Sequence, residues 1–301
     1  MTEKPRTPDG LVIVDKPSGF TSHDVVAKMR GIARTRRVGH AGTLDPMATG
    51  VLVLGVEKAT KLLGHLALTE KEYLGTIRLG QNTLTDDAEG DLISSTDASG
   101  VRRDAIDAGV AKLTGAIMQV PSKVSAIKID GVRSYKRARE GEDFEIPARP
   151  VTISSFAVYD VRDAVAEDGT PVVDLVVSVV CSSGTYIRAL ARDLGADLGV
   201  GGHLTALRRT RVGPYKLDSA RTLDQLQEEL TVMPVADAAS AAFPRWDVDT
   251  RRARLLLNGV RLEMPEEYTG KGAVAVFGPE GEFLALVEEQ KGKAKSLAVF
   301  G

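Results

Sequence analysis

Residues 38–50, VGHAGTLDPMATG, constrain this chain most, because no helix or strand periodicity continues through them. Gly39, Gly42 and Gly50, together with threonine and proline residues, are typical of a structured loop. An amphipathic helix pattern precedes the segment, and the apolar, strand-like run VLVLGV follows it. The sequence therefore predicts a structured loop between a helix and a buried strand.

The acidic residue in this loop is Asp45, which stands between Leu44 and Pro46. An aspartate before proline in a glycine-rich loop is usually a turn or capping residue. The loop lacks the Gly-Lys-Ser/Thr ending of a phosphate-binding P-loop, and no HExxH, GxSxG or CxxC motif occurs in the chain. Spacing alone therefore favours a structural role for Asp45 over a catalytic one.

Composition limits the functional classes that remain. The 301 residues allow more than one folding unit, and the net charge of −2 means that nucleic-acid binding would depend on local basic patches. The single cysteine, Cys181, excludes an internal disulfide and, with only four histidines, argues against a zinc site. The sequence has no secretory signal and no membrane-spanning run, so a cytoplasmic protein is expected. The few cysteines and histidines lead us to expect no metal.

The pattern of apolar residues predicts how the chain is organised. GLVIVDKP predicts a buried strand, and Ser22 is expected to cap a helix that runs to about Thr35. Residues 81–100 are polar and rich in turn residues, which predicts a surface loop. Residues 237–248 resemble a linker, so a domain boundary is placed near Ala242, with a small β-rich unit beyond it.

Four basic runs stand out in this net-acidic chain: RTRR (34–37), RSYKRAR (133–139), RRTR (208–211) and RRAR (251–254). Such runs are usually solvated faces. Four of them together favour a surface that follows the phosphates of a nucleic acid. The run around Tyr135 lies in an insertion-like segment, which we expect to order when RNA binds.

Four blocks of sequence occur in the order and spacing of a known family: GLVIVDKPSGFTSHDVV, RRVGHAGTLDPMATGVLVLGVEKATKLL, KEYLGTIRLGQNTLTDDAEG and SSGTYIRALARDLG. In these blocks, which cover most of residues 10–213, the chain resembles the bacterial tRNA pseudouridine-55 synthases of the TruB family. The resemblance implies an α+β fold, with a mixed, largely antiparallel sheet flanked by helices and a small β-rich, PUA-like C-terminal domain. The implied domains are a disordered tail at 1–9, a catalytic domain at 10–242 with an RNA-gripping insertion at about 117–147, and the PUA-like domain at 243–301.

The resemblance also assigns roles to residues. Asp45 corresponds to the nucleophile, Tyr73 to a tyrosine that stacks on the target base, and Arg188 to an arginine that pairs with the catalytic carboxylate. The implied substrate and RNA contacts come from His40, which fills the gap left by the extruded base, and from Tyr186, Asp87, Lys128 and Arg208. Lys16 is expected to support the active-site loop. The chain reads Val124-Ser125-Ala126 where the family often has YSA.

The implied activity is isomerisation of a uridine in the T-loop of tRNA, by an isomerase that needs neither a cofactor nor a metal. One active site per chain makes a monomer sufficient, and a second role in tRNA folding is compatible with it. Two alternatives remain. One is an RNA-binding chaperone without chemistry, and the other is a related synthase within a guide-RNA particle, although such proteins usually have longer basic extensions.

Overall fold

A computed structural model of the chain describes residues 9–123, 128–129, 132–133 and 146–301. The chain divides into two compact units. The first comprises Met1–Asp45, Val51–Leu68 and Val212–Gly301, and the second comprises Pro46–Gly50 and Thr69–Arg211. The predicted loop is therefore shared between the units, with Asp45 ending a segment of the first. No helix in the described part of the chain has the length and apolar character to span a membrane.

The strands are β1 (Gly10–Lys16), β2 (Val38–His40), β3 (Thr49–Val56), β4 (Lys71–Leu79), β5 (Gln81–Thr83), β6 (Leu92–Ser95), β7 (Gly115–Gln119), β8 (Lys128–Ile129), β9 (Val132–Arg133), β10 (Arg149–Val165), β11 (Pro171–Cys181), β12 (Gly202–Val212), β13 (Tyr215–Lys216), β14 (Met233–Pro234), β15 (Arg245–Asp247), β16 (Val274–Phe277), β17 (Phe283–Gln290) and β18 (Lys293–Val299). The helices are α1 (Ser22–Ile32), α2 (Leu63–Leu66), α3 (Arg103–Lys112), α4 (Ile187–Asp197), α5 (Leu223–Glu228), α6 (Val235–Ala242) and α7 (Thr250–Leu257). Short 3-10 helices occur at Glu57–Leu62, Leu217–Ser219 and Glu266–Tyr268.

In the first unit, β1 lies between β14 and β3, and β2 pairs antiparallel with β3. Helix α1 covers this sheet because its apolar residues recur at helical spacing. Val25 and Met29 of α1 are buried in one cluster with Val12 and Val14 of β1. The predicted buried strand and amphipathic helix are both present.

The ends of α1 differ from the sequence expectation. Thr21, not Ser22, is the N-cap: its hydroxyl accepts from the Asp24 backbone N–H, and the Asp24 carboxylate accepts from the Thr21 N–H, which forms a capping box. The hydroxyl of Ser22 is therefore not used for capping. The helix ends at Ile32, short of the predicted Thr35, because Arg34 adopts a left-handed backbone with φ of +52°.

The segment interpreted as a linker is regular structure. Residues 235–242 form α6, and residues 245–247 form β15, with Trp246 buried. The small side chains that suggested a linker instead allow close packing, and Ala238 and Ala239 are fully buried. Strands β15–β16–β17–β18 form a four-stranded sheet, as the predicted β-rich C-terminus requires. Phe277 and Phe283 from this sheet share a buried cluster with Leu11 and Ile13 of β1.

In the second unit the strand order is β12–β4–β11–β10–β7. Strand β4 pairs antiparallel with β11, and β11 with β10, whereas Thr49 and Gly50 pair parallel with Arg208 and Arg209 of β12. The predicted α+β class with a mixed, largely antiparallel sheet is therefore confirmed. The predicted polar loop at 81–100 contains the short antiparallel pair β5–β6, so an unbroken loop there was wrong.

Lys71, at the start of β4, is an ionisable group buried in the second unit. It is 6% exposed, and its Nζ donates to the Thr69 carbonyl at 2.7 Å. Burial, with a smaller contribution from the positive charge of Arg209, lowers its pKa from 10.5 to about 8. Between these values the unfolded chain holds a proton that the folded chain has released, so stability rises with pH.

We predict that Lys71→Met removes this dependence. Relative to the variant, the wild type should gain up to roughly 3 kcal/mol of unfolding free energy between pH 8 and pH 10.5, because the variant has no proton to release there. Urea unfolding of both proteins across this range measures the difference. A difference that stays constant with pH would contradict the shifted titration.

Candidate active site

In the first unit, the predicted active-site loop is fixed by contacts before Asp45. His40, the last residue of β2, pairs with Leu54 of β3, and the Ala41 N–H donates to the Val53 carbonyl at 2.9 Å. The side chains of Ala41, which is fully buried, and Leu44, which is buried, also anchor the loop. Asp45, the next residue, is half-buried.

Ser22 holds the residue that immediately precedes Asp45. Its hydroxyl donates to the Leu44 carbonyl at 3.1 Å and accepts from the Leu44 N–H at 2.9 Å. Ser22 is 1% exposed, so water does not compete for these bonds. Helix α1 thus fixes the position of the backbone directly before Asp45.

Lys16 orders the chain that leads into the same end of α1. The fully buried Lys16 donates from its Nζ to the carbonyls of Pro17 and Phe20, at 2.9 and 2.6 Å. These carbonyls belong to the turn that leads to the capping residue Thr21. Lys16 therefore orders the chain before α1, and its expected support of the active-site loop stays a prediction.

His40 lies against a second imidazole. The rings of His23 and His40 meet edge to face, with centroids 5.5 Å apart and planes at 79°. His40 is half-buried beside the loop that carries Asp45. Its expected role, filling the space of an extruded base, stays a prediction.

The last residues of the predicted loop belong to the second unit. Gly50 has a φ of +99°, and a Cβ there would lie 2.2 Å from the Arg209 carbonyl oxygen, so only glycine fits. The Arg208 Nη1 donates to the Thr49 hydroxyl at 3.2 Å. Arg208 is thus partly engaged by the loop, and Arg209 is fully buried.

Tyr73 lies on β4, opposite Val179 of β11. It is 7% exposed and points to the same face as Lys71 and Ile77, because side chains alternate along a strand. Burial of this kind suits either a core tyrosine or an aromatic face inside a binding site.

Arg188 and Asp87 form a buried ion pair in the second unit. The Arg188 Nη1 lies 3.4 Å from the Asp87 Oδ2 and donates to the Thr85 carbonyl at 2.8 Å. The Asp87 Oδ1 accepts from the Thr85 hydroxyl at 2.5 Å and from the Glu89 N–H at 3.0 Å. The side chains are only 6% and 4% exposed, so both charges depend on these partners.

The position of Arg188 explains why it needs an acidic partner. It is the second residue of α4, near the positive end of the helix dipole, where a cation is disfavoured. Asp87 lies on the loop between β5 and β6 and compensates this charge. The structure therefore brings two of the expected site residues together.

Tyr186 is the N-cap of α4 and is held by its backbone. Its N–H donates to the Gln119 Oε1 at 2.8 Å, and its carbonyl accepts from the Gln119 Nε2 at 3.1 Å. Gln119 is 1% exposed. This two-way bond fixes the start of the helix that carries Arg188.

Some expected features lie partly or wholly outside the described residues. The backbone of Lys128, in β8, pairs with that of Arg133 in β9. Residues 124–126, Tyr135 and most of the predicted RNA-gripping insertion are not described. Among the residues that are described, no group of three or more His, Cys, Asp or Glu side chains could hold a metal ion.

Sequence reasoning missed two positioning residues, Ser22 and Gln119. A signal existed for Ser22, because T-S-H-D (21–24) matches the capping-box pattern with Thr21 as the cap. That assignment leaves the Ser22 hydroxyl available for another partner. Gln119 carried no comparable signal, since its partner lies 67 residues away.

Comparison with known families covers almost the entire chain. Residues 30–187 match the TruB family pseudouridylate synthase N-terminal domain, residues 188–240 a tRNA pseudouridylate synthase B C-terminal domain, and residues 243–301 a tRNA pseudouridine synthase II C-terminal domain.

Curated relatives agree with these matches. A tRNA pseudouridine synthase B from Streptomyces avermitilis is 94% identical over 301 residues and is aligned over 100% of both chains. One from Thermobifida fusca is 58% identical over 292 residues, which is 97% of this chain and 98% of that protein.

Solved structures share the fold. A Cbf5-Nop10-Gar1 complex matches with 26% identity and a TM-score of 0.73, over 98% of this chain and 85% of the other. An H/ACA RNP bound to a substrate RNA matches with 24% identity and a TM-score of 0.70, over 97% and 85% of the two chains. With the family match over residues 30–187 and a relative at 94% identity, the chain belongs to the TruB family of pseudouridylate synthases.

Proposed function

We propose that this chain is a tRNA pseudouridine-55 synthase, which isomerises uridine-55 in the T-loop of tRNA with Asp45 as the nucleophile. The observation that carries the proposal is the fixed, half-buried loop in which the Leu44 backbone is bonded to Ser22, directly before Asp45. A nucleophile has to be held in position to attack, and this loop restricts its backbone. Membership of the TruB family supports the reaction class.

The substrate follows from the similarity to curated relatives. Proteins at 94% and 58% identity, matched over nearly their full lengths, are named tRNA pseudouridine synthase B. The structures of guide-RNA particles that match this chain are 26% and 24% identical to it. We therefore favour free tRNA, with its T-arm as the bound element and a single chain as the working unit.

The reaction rearranges atoms without adding or removing any, so no cofactor is required. The Asp45 carboxylate attacks either C1′ of the ribose or C6 of the base, and the bond between N1 and C1′ breaks with its electrons passing to the base. The base turns and C5 bonds to C1′, which displaces the carboxylate if it was attached to C1′. If the carboxylate was attached to C6, it leaves C6 by elimination as the C5 proton is lost. In both cases the C5 proton is lost, and N1 gains a proton.

Arg188 is the proposed partner of the nucleophile. A guanidinium has five N–H donors, so it can hold Asp87 and orient a second carboxylate at the same time. Its ion pair with Asp87 keeps the side chain in one place inside a buried site. In this proposal Asp87 acts through Arg188 and is a positioning residue.

The target uridine must leave its stack before Asp45 can attack. Extruding a base costs a few kcal/mol, and stacking on an aromatic face returns about 1–3 kcal/mol. We assign that face to Tyr73, whose hydroxyl would also remove the C5 proton. His40 would fill the vacated space, and the proposed RNA contacts are Tyr186, Lys128 and Arg208.

We predict that Asp45→Asn abolishes the reaction, because the amide matches the carboxylate in shape but is not an effective nucleophile. Tritium release from T-arm RNA labelled at C5 of uridine-55 should fall by several orders of magnitude. Asp249→Asn is the matched control, since asparagine caps α7 as well as aspartate does and should keep wild-type release. No release by wild type would defeat the enzyme proposal, and equal release by Asp45→Asn would defeat the nucleophile.

A second prediction concerns Tyr73→Phe. The ring remains, so affinity for T-arm RNA should stay close to that of wild type, whereas tritium release should fall by about 10²–10⁴-fold if the hydroxyl is the base. Binding and single-turnover release measure the two effects separately. Full turnover by Tyr73→Phe would assign proton removal to another group.

A third prediction separates the buried ion pair from its neighbour. Asp87→Asn leaves the Arg188 charge without its carboxylate and should lower the unfolding free energy by about 3–5 kcal/mol, together with the release rate. The control is Asp86→Asn, next in the chain, which pairs with the more exposed Arg192 at 3.2 Å. Equal losses in both variants would argue against a special role for the pair.

The alternative of an RNA chaperone without chemistry is separated by the same assays. If the protein is a chaperone without chemistry, wild type and Asp45→Asn should refold tRNA equally well, and neither should release tritium. If Asp45→Asn refolds tRNA but wild type alone releases tritium, the protein performs both functions.

A further inference from the structure

The C-terminal end of α1 borders an open cleft of about 600 Å³ in the first unit. Its lining consists of Arg30, Gly31, Arg34, Thr35 and Arg36. The three arginines are exposed, and within the described parts of the chain none of them has a carboxylate partner. Three exposed arginines therefore line one open depression of the surface.

The arginines of the basic run at 208–211 are occupied by contacts within the fold. Arg211 pairs with Glu70 and Glu72 at 2.8 and 3.1 Å, and Arg209 is fully buried. Arg208 donates to the Thr49 hydroxyl. The run at 208–211 thus serves the fold in large part, whereas the run at 34–37 presents its charges to solvent.

Arg34 occupies a position where the backbone favours another residue. The Arg34 N–H donates to the Gly31 carbonyl at 3.3 Å, and the Thr35 N–H donates to the Arg30 carbonyl at 3.2 Å, which together form a Schellman motif. The left-handed residue of this motif is usually glycine, yet here it is arginine with φ of +52°. The guanidinium is therefore present despite a conformational cost.

The loop that follows is held in place by Glu57. The Thr35 hydroxyl donates to the Glu57 carboxylate and accepts from the Arg37 N–H at 3.1 Å. The Glu57 N–H donates to the Arg37 carbonyl at 2.9 Å. The Arg37 Nη1 lies 3.7 Å from the Glu57 Oε2. The cleft arginines thus extend from a fixed backbone, which lowers the entropy lost when a ligand binds.

The chemistry of the cleft indicates the kind of ligand. Guanidinium groups match phosphate oxygens in charge and in bidentate geometry. The dipole at a helix C-terminus attracts cations, which accounts for Arg30 in the last turn but not for Arg34 or Arg36 beyond it. An anion here would be bound by the side chains rather than by backbone N–H groups.

We propose that this arginine cleft binds phosphate groups of the tRNA backbone, as a docking surface in addition to the residues that act on the uridine. This inference rests on the proposed tRNA substrate. Contacts to phosphates position a nucleic acid without reading its sequence. The cleft would therefore contribute to affinity and orientation for any RNA that follows the same path.

The experiment measures tRNA dissociation constants across a range of salt concentrations for wild type, Arg34→Gly and Arg36→Gln. Each variant should bind about three- to tenfold more weakly, with a log–log salt slope reduced by about 1. Glycine suits the left-handed position, so Arg34→Gly should keep or raise the melting temperature while losing affinity. Loss of affinity through unfolding is thereby excluded.

Arg103→Gln is the charge-matched control. Arg103 is exposed but pairs with Asp107 at 2.8 Å, so its removal should leave affinity and slope unchanged. Wild-type binding by Arg34→Gly, or an equal slope change in Arg103→Gln, would overturn the proposal. Binding is measured without turnover, so a failure of catalysis in the tritium assay would not affect this result.

Discussion

A buried hydroxyl, that of Ser22, both donates to and accepts from the backbone of Leu44, and the position of the catalytic-loop candidate depends on it. Each such bond contributes about 0.5–1.5 kcal/mol net, but leaving its buried partner unsatisfied costs about 1–3 kcal/mol. The chain of support extends through the Thr21 capping box to the carbonyls bound by Lys16. Residues 41–48, which form neither helix nor strand, are thereby attached to a rigid helix.

In the second unit, the arrangement depends on a buried ion pair rather than on a neutral hydroxyl. Arg188 and Asp87 are taken out of water together, and the Thr85 hydroxyl and Glu89 N–H satisfy the remaining carboxylate oxygen. A pair of this kind adds little stability compared with apolar residues, but it fixes geometry, because removing either charge leaves the other buried. The pair suits a site that must hold an ionised group in one orientation.

Much of the architecture was predictable because its signals are local. Alternation in KEYLGTIRL and the helical stripe of α1 follow from side-chain periodicity, and both elements formed as expected. The errors arose where local composition has two interpretations. Small residues at 237–248 suggested a linker, yet Ala238 and Ala239 pack into a core. The sequence does not reveal this core because its other residues come from distant segments of the chain.

The sequence by itself predicted the loop, through its glycines and the break in periodicity, and the candidate residues, through blocks that resemble the TruB family. Only the tertiary structure decided the partners. The Ser22–Leu44 bonds span 22 residues and the Asp87–Arg188 pair joins different elements, while Arg34 faces a cleft rather than a carboxylate. Periodicity describes which face a residue takes, whereas partners depend on how distant segments pack.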